Sequence, residues 1–256
     1  GVPLLKFSVD GGARAVQDIV TQGLDPVAPE NERGPYDVVI IGAGASGMAA
    51  ARKAETNGLS YCVLESQRRF ATIKDFQAGK PIYTYPKEMT PESDIEVTAQ
   101  VKEALVDELE AQTRDLPVRH AEAERVERDG DGHAVVTADS DRIHGQRVIV
   151  AIGRSGNFRS LDVPGEEKGH VHHRLHDPGH HGGDASVVVG GGDSAAEAAI
   201  ALVEAGADVT LSYRRDAFVR PKEENVERLY ERATYAEGDG SLTLKMETEV
   251  EEIRDE

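Results

Sequence analysis

Apolar residues follow three different rhythms along this chain. Val38–Ile41 is an unbroken apolar run, the pattern of a strand buried on both faces, and Leu59–Leu64 repeats it. Between them lies an Ala-rich stretch with the length and propensity of a helix. In Ser93–Asp115, Val97, Val101, Leu105 and Leu109 recur at every fourth position with charges between them, which predicts a helix over that span. Residues 118–152 alternate instead. Two strands about a turn at Asp129–Gly132 and a third, buried strand at Val148–Ile152 are expected there. Residues 1–35 show only a short helical pattern near Ala13–Thr21 and end in the polar run DPVAPENERGP, which reads as a linker or the tail of something upstream.

The first buried run is followed by Gly42, Gly44 and Gly47 in the spacing G-x-G-x-x-G, and the second run ends on Glu65, about twenty residues further on. Each glycine has a task. Gly42 makes the tight turn, Gly44 lets a pyrophosphate approach the backbone, and Gly47 lets helix and strand pack closely. The helix N-terminus then offers free N–H groups and a favourable dipole to the phosphates, and Glu65 is placed to accept hydrogen bonds from a ribose.

This unit occurs twice. Residues 186–215 (SVVVGGGDSAAEAAIALVEAGADVTLSYRR) lie on the first copy at an offset of 148 without a gap. Gly190 falls on Gly42, Gly192 on Gly44, Ser194 on Ser46 and Ala195 on Gly47, in the permitted G-x-G-x-x-A form, with Asp193 inside the turn. The copies differ where a nucleotide ribose is read. Tyr213 stands in place of Glu65, and Arg214 and Arg215 follow it. A carboxylate favours a free 2′-hydroxyl, whereas an aromatic and two guanidinium groups suit adenine and a 2′-phosphate. The first copy is therefore expected to hold a dinucleotide without a 2′-phosphate and the second NADPH.

Composition changes the picture in two ways. With 47 acidic against 29 basic residues the net charge is −18, which repels nucleic acid and anionic membranes. The acidic residues are spread along the whole chain and lysine is scarce, as on a halophile's surface. The one cysteine, Cys62, lies inside the second expected strand, so no Cys-x-x-Cys motif can be built from these residues. A cytoplasmic location is expected.

Other features carry two readings each. Phe70, Phe76, Tyr83 and Tyr85 crowd the stretch 67–89, either as a loop around a ring-shaped ligand or as an ordinary aromatic-filled loop. Ala151 and Gly153 end the third strand, where Gly153 either lets a cofactor approach or makes an exit turn. Asn157-Phe158 follows. Six histidines, His170, His172, His173, His176, His180 and His181, suggest a metal. They lack the usual carboxylate or cysteine partners, so a solvated connector is expected and no metal site is assigned. Gly192-Asp193-Ser194-Ala195-Ala196 is similar to a hydrolase nucleophile elbow, but Ala196 stands where the elbow needs glycine and the repeat already explains Ser194. Glu197, one turn into the second unit's helix, is either near a nicotinamide or simply solvated.

From Tyr36 to Glu256 the chain resembles the two-domain flavoproteins of the pyridine nucleotide-disulfide oxidoreductase superfamily, in its thioredoxin reductase-like and bacillithiol-disulfide reductase-like branch. Gly42, Gly44, Gly47 and Glu65 match that family's FAD motif, and Ala151-Ile152-Gly153 stands where it has Ala-Thr-Gly. Gly190, Gly192 and Ala195 match its NADPH motif, Tyr213-Arg214-Arg215 is similar to its His-Arg-Arg segment, and Arg220 is a counterpart, displaced by one residue, of a further arginine. The departures are equally specific. No Cys-x-x-Cys is present, and Ser46 stands where bacillithiol-disulfide reductase-like members carry a cysteine. The family's closing Gly-Asp segment has no match, because the pairs at Gly130, Gly183 and Gly238 follow no buried strand.

The resemblance implies an α/β fold of two Rossmann-like domains with parallel sheets and a small β-rich insertion in the first. Its C-terminal part is expected to lie beyond Glu256. The expected division is an N-terminal extension or linker (1–35), the N-terminal part of an FAD-binding domain (36–165), a His-rich linker (166–185) and an incomplete NAD(P)H-binding domain (186–256). The activity implied is FAD-dependent oxidation of NADPH, with electrons passed to a small-molecule or small redox-protein acceptor. A flavin monooxygenase and a non-catalytic FAD/NAD(P)H-binding module are the alternatives. A homodimer is expected at full length.

The dispersed acidic surface generates one test. If it is a halophile's adaptation, the melting temperature rises as potassium chloride is raised into the molar range, because screening relieves self-repulsion. A melting temperature that stays level or falls in molar salt would count against it.

Overall fold

The computed structural model describes residues 5–86, 88–153, 159–235 and 240–255. Asn157, Phe158 and the pair at Gly238 lie outside them. Contacts group the chain into two compact units, one of Gly1–Asp75 with Gly79–Gly156, the other of Phe76–Ala78 with Asn157–Glu256.

The first unit runs α1 (Leu5–Thr21), β1 (Tyr36–Ile41), α2 (Ala45–Thr56), β2 (Tyr61–Glu65), α3 (Ala71–Lys74), α4 (Lys102–Thr113), β3 (Arg119–His120), β4 (Ala123–Asp129), β5 (Gly132–Thr137) and β6 (Arg142–Val150). These strands form one sheet in the order β3-β2-β1-β6-β5-β4. β3, β2, β1 and β6 are mutually parallel, and β5 and β4 extend the sheet antiparallel. The unbroken apolar run of β1 follows from its place between β2 and β6, where Val38, Val39 and Ile40 are fully buried. At its start Asp37 is buried among four donors. One carboxylate oxygen accepts from Val27 N and Gln146 Nε2, and the other from Ser60 N and Ser60 Oγ, at 2.7–3.0 Å. A buried carboxylate needs such partners, and these come from three other chain segments, at Val27, Ser60 and Gln146, that meet at the base of the sheet.

In the second unit a 3-10 turn (Pro178–His181) precedes β7 (Ala185–Val189), α5 (Asp193–Glu204), β8 (Asp208–Tyr213), α6 (Glu223–Thr234) and β9 (Ser241–Met246). The sheet β7-β8-β9 is wholly parallel. One core joins Ile200 and Val203 of α5, Leu229 of α6, and Val209, Leu211 and Leu242 of the sheet. No helix among the described residues is long and apolar enough to cross a membrane.

Local boundaries move from the expected ones for identifiable reasons. The short helix expected near Ala13–Thr21 within a linker is a 17-residue helix with a buried stripe at Val9, Gly12, Ala13, Val16 and Ile19. It packs on α2, and a Cβ at Gly12 would lie 2.0 Å from the Ser46 carbonyl oxygen. It also holds the segment that follows Tyr85. Lys6 Nζ donates to Pro86 O and Met89 O at 2.9 Å, and Asp10 accepts from Glu92 N at 2.9 Å. This second contact surface explains why α2 buries Met48, Ala49, Ala50, Ala51 and Ala54 around most of its circumference.

The helix expected over Ser93–Asp115 begins only at Lys102. Residues 96–99 run beside it instead, because Glu108 accepts from Thr98 N, Thr98 Oγ1 and Ala99 N, and Gln112 accepts from Glu96 N. The second strand spans Tyr61–Glu65 rather than 59–64. The third is Arg142–Val150 rather than 148–152, with Val150 exposed and the buried positions nearer its start. The 67–89 stretch contains α3, and Tyr83 and Tyr85 stack at 6.2 Å.

Gly11 and Gly12 give a paired test of the α1–α2 contact. Gly11 is exposed, and nothing lies within 4 Å of where its Cβ would stand, so Gly11→Ala is expected to stabilise by about 0.5–1 kcal/mol through helix propensity. Gly12→Ala is expected to destabilise by about 1–3 kcal/mol, because the clash is with backbone. Denaturant unfolding of both variants measures this. Equal effects would mean that α1 does not pack as described.

Candidate functional site

Each unit presents a glycine turn between a buried strand and a helix N-terminus. In the first, Gly42 has φ +105° and donates to Leu64 O at 2.7 Å. A side chain there would meet the Ala151 carbonyl oxygen at 2.6 Å. At Gly47 a Cβ would stand 1.8 Å from the Gly42 oxygen and 3.4 Å from the Ala151 side chain. Ala151 thus closes the turn from the β6 side, held by its N–H on Ile41 O at 2.8 Å. Gly153, two residues on, has φ +68°.

Glu65 is tied to the same turn. One carboxylate oxygen accepts from Ala43 N and the other from Gln67 N, both at 2.8 Å, and Phe70 N donates to Ala43 O at 3.0 Å. The turn's own peptide at Ala43 is therefore used internally, and Glu65 keeps acceptor capacity for a further donor. Gly44 is the N-cap of α2. No side chain caps that helix, and nothing lies within 4 Å of where a Gly44 side chain would begin. Backbone donors at an uncapped helix start, beside a residue with open space, are the features that an anion site requires. Ser46 sits in this first helical turn, with its carbonyl against Gly12.

The second turn has the same plan with different details. Gly190, at φ +143°, donates to Ser212 O at 3.0 Å, and a Cβ on it would lie 3.2 Å from Ala195 Cβ. Gly192 caps α5 without side-chain help and is open, like Gly44. Ser194 follows in the first turn of α5, and among the described residues no histidine hydrogen-bonds to it. Asp193 Oδ1 accepts from Lys222 N and Asn225 Nδ2, each at 2.8 Å. Asn225 Nδ2 also lies 3.5 Å from Glu197 Oε1.

Tyr213 departs from the role expected for it. Its ring packs over Gly191, where a Cβ would come within 2.0 Å of it, and lies parallel to Phe218 at 5.3 Å. Phe218 in turn meets Tyr230 edge-on at 6.2 Å. The Tyr213 ring is 6% exposed and its hydroxyl is buried without a partner among the described residues, so no open aromatic face is offered to an adenine. Arg214, Arg215 and Arg220 are exposed, and no described residue pairs with their guanidinium groups. Nearby, Arg228 and Arg232 are both engaged with Glu204.

Cys62 is buried in β2, and burial pushes its thiol up to about 11. At neutral pH it is an unreactive thiol. In the histidine segment, His172 meets His181 edge-on at 5.8 Å, His180 lies 3.5 Å from Asp177, and His181 lies 3.4 Å from Asp184. Among the described residues no three His, Cys, Asp or Glu side chains converge as a metal set. Sequence reasoning missed the α1 contact on α2 and the use of Asp193 as an anchor. The signal for the first is a glycine in an otherwise regular apolar stripe.

Residues 39–256 match the Pyridine nucleotide-disulphide oxidoreductase family. The chain is 34% identical over 196 residues to a ferredoxin--NADP reductase of Ignicoccus hospitalis, covering 75% of this chain and 61% of that one. It is 35% identical over 207 residues to one of Ralstonia nicotianae, covering 75% and 54%. Among solved structures, the bacillithiol disulfide reductase Bdr of Bacillus cereus aligns with a TM-score of 0.71 at 24% identity, covering 86% of this chain and 70% of its own. The thioredoxin reductase of Lactococcus lactis aligns at 0.60 with 25% identity, covering 86% and 67%. The chain thus spans less than two thirds of the length of the curated reductases it matches.

Two glycines of the first turn separate folding from ligand binding. Gly44→Val is expected to cost the ligand-free protein about 1 kcal/mol or less, a capping effect, yet to abolish retention of a dinucleotide. Gly47→Ala puts a Cβ 1.8 Å from a carbonyl and is expected to lower stability itself. Melting curves and nucleotide analysis of both variants check this. Dinucleotide retained in full by Gly44→Val would remove the first turn from the site.

Proposed function

The chain belongs to the pyridine nucleotide-disulphide oxidoreductase family, and we propose that it is the nucleotide-binding part of an NADPH-oxidising FAD reductase that passes electrons to a small redox protein of the ferredoxin type. The observation that carries the proposal is the contrast between the two turns. Both expose an uncapped helix start beside an open glycine, but one is followed by Glu65 and the other by three arginines that no described residue pairs.

The residues present fit FAD at the first turn. Gly44 and the first turn of α2 would receive the pyrophosphate, Glu65 a ribose hydroxyl, and the closed contact of Gly42, Gly47 and Ala151 would keep the donors aimed. At the second turn Gly192 and α5 would receive the pyrophosphate of NADPH, and Arg214, Arg215 and Arg220 its 2′-phosphate. Tyr213 supports the arginine segment from below rather than stacking on the base. When bound, FAD would supply the redox chemistry, taking hydride from NADPH and giving electrons to the acceptor. The chain's own contribution is binding, orientation and charge.

The choice of acceptor rests on two supports. The relatives from Ignicoccus hospitalis and Ralstonia nicotianae are ferredoxin--NADP reductases. A thiol relay has no place among these residues, with Cys62 buried and Ser46 in the α2 turn.

The full-length protein should carry flavin absorbance that bleaches with NADPH under anaerobic conditions and returns when oxidised ferredoxin is added in excess. Arg214→Ala and Arg215→Ala should each raise KM for NADPH about tenfold more than KM for NADH, the scale of one charge-assisted bond. A colourless, NADPH-inert preparation would refute the enzymatic reading. Equal effects on the two nicotinamide cofactors would refute the assignment of the arginines.

A further inference from the structure

We infer that Asp193 is the positioning residue for the arginine segment of the second unit, and so sets its preference for a nucleotide with a 2′-phosphate. The inference rests on the NADPH reading of that unit. Residues 214–222 carry Arg214, Arg215 and Arg220, and they leave β8 and return to α6 with no regular structure between. Contacts at the start, middle and end shape them. At the start, Arg215 O accepts from Glu247 N at 3.1 Å. In the middle, Phe218 lies on Tyr213. At the end, Asp193 Oδ1 receives Lys222 N and the buried Asn225 side chain. Asp193 ties the end of the segment to the glycine turn by hydrogen bonds, where Phe218 reaches that turn only through the Tyr213 ring on Gly191, so Asp193 fixes the segment's end relative to the start of α5.

The internal repeat sharpens this. The partner of Asp193 in the first copy is Ala45, so the turn itself does not require a carboxylate. In the first copy the turn is joined to the segment after β2 by the Ala43 peptide, through Phe70 N and Glu65. The second copy does the same job with a side chain. A carboxylate in a first turn is favoured by the helix dipole, but it repels a phosphate bound at the same helix start by like charge. Acting by charge alone it would weaken every phosphate ligand, whereas acting as an anchor it strengthens the one that reaches the arginines.

Those alternatives have opposite signs in one experiment. Calorimetric titration of the full-length holoprotein with adenosine 2′,5′-bisphosphate and with 5′-AMP gives an affinity ratio. For Asp193→Ala the ratio should fall about fivefold through weaker binding of the bisphosphate, a fraction of one charge-assisted bond. Asp193→Asn keeps an acceptor for Lys222 N and should restore most of the ratio. Lys222→Pro provides an independent arm. Its φ of −61° suits proline, and the substitution deletes the backbone donor to Asp193 together with the lysine side chain, so measured against Lys222→Ala, which keeps that donor, it should reproduce the fall. Tighter binding of both nucleotides by Asp193→Ala and Asp193→Asn would overturn the inference in favour of a pure charge effect. An unchanged ratio in Asp193→Ala and Lys222→Pro would also overturn it. Unsubstituted protein with no preference for the bisphosphate would overturn the NADPH reading and this inference together.

Discussion

The structure depends most on one close approach, that of Gly47 to the Gly42 carbonyl with Ala151 alongside. There is no room at that point for a single methyl group. The absence of side chains lets α2 start directly over the end of β1, with its dipole and first N–H groups aimed past the carboxyl edge of the sheet. The other polar groups of the turn are spent on Glu65 and Phe70. What remains unsatisfied is what a phosphate can use. The second unit repeats the geometry with looser packing at Ala195 and compensates with side-chain ties through Asp193 and the Tyr213–Phe218 stack.

Much of this was legible in the sequence because it follows local rules. Gly42 and Gly190 needed positive φ, Gly44 and Gly192 open space, and Gly47 contact, and each obeys a spacing that can be read without a structure. The antiparallel insertion was legible from alternation and the Asp129–Gly132 turn. Other features depended on partners far away in the chain. The helix expected from Ser93 was overruled by Glu108 and Gln112, whose side chains capture the backbone donors of 96–99. Tyr213 held its expected register, but register does not fix burial, and Gly191 gave its ring a place inside. In α1 the expected short helix near Ala13–Thr21 fell short of the observed one, which takes in Gly12, the residue that permits the helix to dock on α2.

Charge is organised on the same principle. In a chain of net charge −18 the basic groups are scarce. Several arginines are committed to internal pairs, such as Arg52 with Asp115 and Glu55, and Arg142 with Glu127. The guanidinium groups of Arg214, Arg215 and Arg220, exposed and unpaired among the described residues, gather positive charge after one strand of such a protein. That contrast can guide a polyanionic ligand to one end of one sheet.

The position of β6 has a consequence for how the first unit comes into being. β6 pairs with β1 across the middle of the sheet, yet among the described residues it is the last of the six strands in chain order, about a hundred residues after its partner. Until it arrives, β1 has one unpaired edge, Asp37 lacks the Gln146 donor, and Gly42 and Gly47 lack Ala151. A nascent chain must therefore hold an apolar, unpaired edge while the intervening helix and hairpin emerge, a slow, non-local closure of the kind that exposes a chain to aggregation and to chaperone capture. The closed glycine turn and the centre of the sheet therefore depend on the same late strand.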